Sequence, residues 1–196
     1  MNLRRLRIFA VIYGLIWIVL AIDPYDRFDW FLENLLVVAA VGFLVAAHRW
    51  LRLSEVSYVL ITTFLVLHAL GAHYTYSQAP PGFWMQAALG LERNHFDRLV
   101  HFCFGLLLVY PLLEVNERRG RLRSAWGYGA VFAVVVAAST LYELMEWIVA
   151  ALVQPEAAMA WLGTQGDPFD AQKDTGLATI GAALGLSLIV FRRRTA

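Results

Sequence analysis

Three pairs of ionisable residues stand at helical spacing in a chain otherwise dominated by aliphatic side chains. Asp97 and His101 are four apart, Glu143 and Glu146 three apart, and Asp170 and Asp174 four apart, so each pair shares one face of a helix. Glu33, His68 and His73 interrupt other apolar runs, and Asp167 lies shortly before one. A charged side chain in hydrocarbon costs about 2.5 to 3.5 kcal/mol on insertion scales, so a group of them at one depth marks a functional site. His68 and His73 are five apart, about 140 degrees round a helix of 3.6 residues per turn, and need not converge unless the helix frays near Gly71.

Three chemistries compete for these residues. Carboxylates with neutral imidazoles hold a divalent metal ion, with Zn, Mn or Fe favoured over Mg or Ca. The ligands are then expected among His68, His73, Asp97, His101, Glu143 and Glu146. Asp, Glu and His can also form a proton or ion relay. Against a relay, the opposite halves of the same runs carry almost no ionisable groups, which describes a pocket open to one side. The third possibility is packing, with His68 and Glu143 hydrogen-bonded inside the fold and Asp167, Asp170 and Asp174 in a solvated loop. On the metal reading those three aspartates supply further ligands or a general base and are the catalytic candidates. Arg98, Lys173, Tyr142 and Gln165 are the substrate-binding candidates, the two cations for an anionic head group.

The elements that position these residues are membrane helices. At 60% hydrophobic residues and mean hydropathy +0.59, the 196-residue chain exceeds the 45 to 50% apolar content typical of soluble domains. Six apolar runs stand out: Ile8 to Ile22, Phe31 to Ala47, Val56 to Ala72, Leu99 to Leu113, Trp126 to Leu152, and Gly176 to Phe191. A span needs about 17 to 25 residues, so the first and fourth must be extended by their flanks. The first run, preceded by Arg4, Arg5 and Arg7, resembles a signal peptide, but no A-x-A site follows Ala21, so an uncleaved helix is expected. The fold class is therefore all-α: one domain, residues 1–196, an integral membrane bundle of six transmembrane helices.

Orientation comes from the basic residues. Arg4, Arg5, Arg7, Arg49, Arg52, Arg118, Arg119, Arg121, Arg123, Arg192, Arg193 and Arg194 all fall on one side of a six-helix topology, leaving Arg27, Arg93, Arg98 and Lys173 on the other. Both termini are then cytoplasmic, and the acids and histidines lie at the outer face of a bacterial inner membrane. Trp30, Trp50, Trp84, Trp126 and Trp147 stand near helix ends, where an interfacial belt places them. Two long outward connections, Tyr74 to Arg98 and Val153 to Thr175, are expected to fold over the outer mouth. Cys103 is expected to be a buried structural thiol. Gly181 and Gly185 form a G-x-x-x-G suited to close helix packing. No nucleic-acid signature, internal repeat or phosphate-binding glycine loop is present.

The stretches Asp97-Arg98-Leu99-Val100-His101-Phe102, Tyr142-Glu143-Leu144-Met145-Glu146-Trp147 and Gly166-Asp167-Pro168-Phe169-Asp170-Ala171-Gln172-Lys173-Asp174 carry a resemblance to the YjdF-like inner-membrane proteins of bacteria. It covers nearly the whole chain, including His68, His73-Tyr74-Thr75-Tyr76 and Asn94. More loosely, the last three helices resemble VanZ-like proteins, which show an Asp-Lys-x-x-His-Phe start, a Glu-rich middle helix and a final Asp-x-x-x-Asn-x-x-Gly helix. This chain departs from that pattern at Arg98, at Glu146, and at Thr175, Ala178 and Thr179, where Asn is missing. The resemblance implies an integral inner-membrane protein and supplies no reaction.

The expected function is a metal-dependent, outward-facing site that hydrolyses or modifies an envelope lipid or lipid-linked molecule, with membrane lipids as partners. Non-enzymatic transport or ligand capture, or a structural role through the outer loops, are the alternatives.

Overall fold

The computed structural model describes residues 3–120, 122, 124–153 and 161–195. Arg121, Arg123 and the middle of the second outward connection, 154–160, lie outside the described residues. Seven α-helices run through the described chain: α1 Leu3–Leu20, α2 Arg27–Leu51, α3 Glu55–His73, α4 Pro80–Leu89, α5 Phe96–Val115, α6 Ser124–Leu152 and α7 Asp170–Thr195. The helix α5 continues into a π-helical turn, Asn116–Gly120. Five of these helices are long and apolar enough to cross a membrane, α2, α3, α5, α6 and α7, and α1 is a shorter apolar helix. The helix α4 is an addition: the connection from Tyr74 to Arg98, expected as a loop, folds for ten residues where Pro80 and Pro81 take the first helical positions and Gly90 closes the end with φ +65°. Proline suits those positions because its missing N–H would have no partner there.

Local chemistry sets the helix starts. The Asp26 side chain accepts from the backbone N–H groups of Phe28 and Asp29 at 2.8 and 2.9 Å and begins α2, while Ser54 caps α3 by accepting from Ser57 N at 3.3 Å, both standard ways of satisfying unpaired helical N–H groups. The spans cross back and forth, so the N-terminal parts of α2, α5 and α7 meet the C-terminal parts of α3 and α6. At the opposite end Glu114 accepts from Ser54 N and Oγ and from Ser57 Oγ, the last at 2.5 Å, and pairs with Arg118. Arg193 pairs with Glu117, and the Arg119 guanidinium lies 5.3 Å from the Trp50 ring centre. Arg118, Arg119 and Arg193 therefore lie at the end of the bundle opposite the acid–histidine layer.

Removing the Glu114 carboxylate strands the Ser54 N–H and the fully buried Ser57 hydroxyl. Each unsatisfied buried group costs about 1 to 3 kcal/mol. Glu114→Ala is expected to lower the thermal unfolding midpoint in detergent, followed by tryptophan fluorescence, with the acid–histidine end of the bundle unaltered.

The helix α5 is central, packing on α3, α6 and most extensively on α7. Val109, Leu113, Val131, Val135, Ala182 and Leu186 form the main core between α5, α6 and α7. Phe96 and Val100 of α5 pack with Tyr76 and Ala79 at the acidic end. Large apolar side chains such as Val45, Val38, Trp126 and Leu188 face outward, as a bilayer requires. Trp50, Trp84, Trp126 and Trp147 are exposed, whereas Trp30, expected in the same belt, is half-buried with its ring 5.6 Å from that of Trp17. Cys103 is half-buried rather than enclosed.

Candidate functional site

Glycine brings α5 and α7 together. A Cβ built on Gly105 would stand 1.9 Å from the Ala178 carbonyl oxygen, and one on Gly181 would stand 2.2 Å from the Phe102 carbonyl oxygen. Backbone therefore rests directly on backbone, the close approach that small residues permit in membrane helices. One to two turns further along, this contact sets Asp97 of α5 beside Asp170 and Asp174 of α7. One carboxylate oxygen from each of the three lies within 4.8 Å of the others. Asp174 is 2% exposed, and its Oδ1 is buried with no hydrogen-bond donor.

His101 extends this group. Its Nε2 lies 3.6 Å from Asp97 Oδ1, one turn away on the same helix, and 3.3 Å from Glu143 Oε1 of α6. Glu143 and Glu146 line a chamber of about 420 Å³ with Asp97, Asp167, Asp170 and Asp174. The cations present are fewer. Arg93 Nη2 lies 2.8 Å from Asp170 Oδ1, Arg98 pairs with both Asp167 and Asp170, and Lys173 donates to Asp167 at 2.5 Å. Six carboxylates thus meet three cationic side chains.

A second, apolar chamber of about 210 Å³ adjoins the first, and Asp97 lines both. Its polar rim is a hydrogen-bonded string. Tyr142 donates to Glu33 Oε2 at 2.8 Å, and His68 Nε2 lies 3.3 Å from the Glu33 carbonyl oxygen and 3.8 Å from Glu33 Oε2. A carbonyl only accepts, so in a neutral ring the proton is on Nε2, and His68 Nδ1 accepts from the Tyr76 hydroxyl at 2.6 Å. Burial pushes the Tyr76 hydroxyl well above its ordinary range, keeping it protonated as that donor. Thr75 and Tyr76 hold φ of 48° and 50°, a left-handed turn that costs non-glycine residues energy. The turn lays the Tyr76 ring over Gly71, where a Cβ would come within 2.4 Å of it.

The loop ahead of α7 is tied by charge. Asp167, its side chain 13% exposed, is held well below the usual carboxylate range first by its hydrogen bond from Lys173, then by the Phe169 N–H and by Arg98. His95 is pushed down by burial, and by Arg98 and Arg93, which fits its Nδ1 accepting from Arg98 at 3.0 Å. A carboxylate with a depressed folded-state pKa stabilises the fold above its unfolded value of about 3.9, and loses that contribution as pH falls through the folded value. Asp167→Asn at neutral pH is therefore expected to mimic acid, speeding hydrogen–deuterium exchange of the Thr164 to Phe169 amides; in the native chain that exchange, corrected for intrinsic rate, rises only well below pH 4.

Asp97, His101, Glu143, Glu146, Asp167, Asp170 and Asp174 converge on the acidic chamber and its wall, and His68 and Tyr142 line the apolar one. His73 is not brought in, because its Nδ1 lies 2.8 Å from the Leu20 carbonyl and its ring stands edge-on to Tyr74, tying α3 to α1. It was expected as a metal ligand, and the five-residue spacing put it on another face. Gln165, expected on the substrate, spends both ends of its amide on the Asn94 backbone at 3.2 and 2.9 Å. Arg98 and Lys173 are both occupied by loop aspartates. Arg93, Asp29, Asn94 and Tyr76 were not foreseen as site residues. Asp29 stands four before Glu33 on one helix face and is 4% exposed; that i, i+4 spacing was the available signal.

Comparison with known proteins agrees with the membrane architecture. A family model described as predicted membrane protein (DUF2238) matches residues 5–195. The inner membrane protein YjdF of Escherichia coli strain K12 is 37% identical over 189 residues, which cover 94% of this chain and 87% of that protein. No solved structure matches. The looser likeness to VanZ proteins is not shown by these matches. Across nearly its whole length, then, the chain belongs to the predicted membrane protein family DUF2238.

Proposed function

We propose that the protein is an inner-membrane hydrolase that uses a divalent cation, held by Asp97, Asp170 and Asp174, on a lipid or lipid-linked substrate. The observation that carries this reading is the buried oxygen of Asp174 that lacks a donor, within a trio of carboxylates close enough to share one ion. A buried carboxylate oxygen without a donor is costly, and a cation removes the cost. The surplus of carboxylates over arginine and lysine around the chamber argues the same way. All-oxygen ligands favour Mn or Mg over Zn, which moves the preference away from the imidazole set expected from sequence.

A bound cation would lower the pKa of a coordinated water toward about 7. His101 and Glu143, at the edge of the trio, would take a proton from the water that attacks the ester and return it to the leaving oxygen as the new bond to the water oxygen forms and the ester bond breaks. Arg93 and Arg98 fix the orientation of Asp170. Six spanning helices with both termini cytoplasmic, an orientation that follows from the arginine-rich end, would place the chamber at the outer face of the membrane. The inner-membrane location of the E. coli relative supports the same compartment.

Elemental analysis of protein purified without chelator is expected to find about one Mn or Mg ion per chain. Purified protein that carries no metal, takes up no Mn²⁺ and gains no stability from added Mn²⁺ would sink the proposal.

A further inference from the structure

Apart from Asp97, which lines both chambers, the apolar chamber is lined by none of the proposed cation ligands. Its inner wall is buried, with Val100, His101 and Tyr76 enclosed. Its outer wall is not: Leu36 and Ala40 of α2 and Ala138 of α6 line the same chamber and are also exposed on the bundle surface. The mouth therefore faces sideways, between α2 and α6, within the spanning segments of both helices. The medium outside that mouth is hydrocarbon. At the polar end the gap is bridged by the Tyr142–Glu33 hydrogen bond, and deeper in the membrane two alanines leave it open.

We propose that this chamber is a chain slot: a lipid enters from the bilayer between α2 and α6, lays one hydrocarbon chain against Val37, Phe64, Leu65 and Phe104, and presents its polar head to the carboxylates beyond Asp97. The inference rests on the hydrolase reading for what happens at the head and narrows its substrate to a lipid that lends one hydrocarbon chain to the slot. A soluble sugar or free phosphate has no use for an aliphatic and aromatic recess that opens on lipid. A single-chain amphiphile, or one chain of a larger lipid, matches both chambers and the order in which they meet the membrane. Ala40 and Ala138 are then specificity residues, since their small side chains set the width of the mouth.

The test uses the whole protein in nanodiscs doped with dodecyl phosphate that carries a mid-chain diazirine. Photolabel mapped by mass spectrometry is expected on Leu36, Phe64, Leu65 or Phe104. Ala138→Phe, and separately Ala40→Phe on the facing wall, are expected to cut that labelling by about tenfold, the scale of losing a few methylene contacts. Both positions are exposed, so folding is preserved, and Mn²⁺ binding read by electron paramagnetic resonance stays at its native level. Excess inorganic phosphate should leave the label on those residues. Label spread evenly over outward residues such as Val45 and Leu188, or label in the slot that either phenylalanine leaves untouched, would overturn the chain slot. Slot labelling without any Mn²⁺ binding would keep the slot and remove the metal reading; Mn²⁺ binding without slot labelling would do the reverse.

Discussion

Asp174→Asn is expected to abolish tight divalent-cation binding while leaving the protein folded and, without metal, more stable than the native chain. The two effects have one cause. In the native protein Asp174 is 2% exposed, with an oxygen that meets no donor and two other carboxylates within 4.8 Å. Asparagine keeps the shape, removes a charge from the cluster and brings an N–H₂ that can donate to Asp97 or Asp170. Loss of one anionic ligand should weaken Mn²⁺ by about 100-fold or more, beyond the 10 to 100-fold typical of removing a ligand's supporting partner. Added Mn²⁺ should raise the unfolding midpoint of the native protein, because a ligand that binds only the folded state stabilises it, and should do nothing for the variant. If Asp174 were merely a packing residue, the variant would show no gain without metal and the native protein no response to Mn²⁺.

The second large effect is predicted far from any charge. Gly105→Val must part α5 from α7, since the new Cβ would lie 1.9 Å from the Ala178 carbonyl oxygen and 2.7 Å from the Ala182 nitrogen, both backbone atoms. Overpacking a fitted contact costs about 1 to 3 kcal/mol when side chains can give way, and more when they cannot. A fall of at least about 6 °C in the unfolding midpoint follows, at 2 to 4 °C per kcal/mol for a chain of this size. Because the same contact positions Asp97 against Asp170 and Asp174, Mn²⁺ affinity should fall with it. Gly129→Ala supplies the contrast: nothing lies within 4 Å of its Cβ, so a helical alanine there should be neutral or stabilising by about 0.5 to 1 kcal/mol. Equal effects at both positions would contradict the close crossing.

Much of this architecture was legible because membrane helices advertise themselves by composition. The apolar runs located the five long spans and the shorter α1, and the i, i+4 pairs Asp97–His101 and Asp170–Asp174 put side chains on faces that do meet. The motif Gly181-x-x-x-Gly185 pointed to the close α7 packing, although its partner glycine, Gly105, carries no motif of its own. What sequence could not reveal depends on contacts between distant segments. His73 and Gln165 have the right chemistry for a site, but a Leu20 carbonyl and the Asn94 backbone claim them. Arg93 sits in an unremarkable loop stretch, and only the fold lays it on Asp170. Tyr76 reaches His68 through two consecutive left-handed residues, a conformation that neither Thr75 nor Tyr76 announces. The division into an acidic and an apolar chamber likewise exists only where α2, α3, α5 and α6 surround a common space.

The central claim is that Asp97, Asp170 and Asp174 hold one divalent cation. Anomalous scattering at the manganese edge, from crystals grown with Mn²⁺, tests it most directly. The account predicts a single strong peak bounded by carboxylate oxygens of those three residues, at the 2.0 to 2.6 Å expected for oxygen-ligated divalent ions. No peak there, with Arg93 and Arg98 alone satisfying the aspartates, would contradict it.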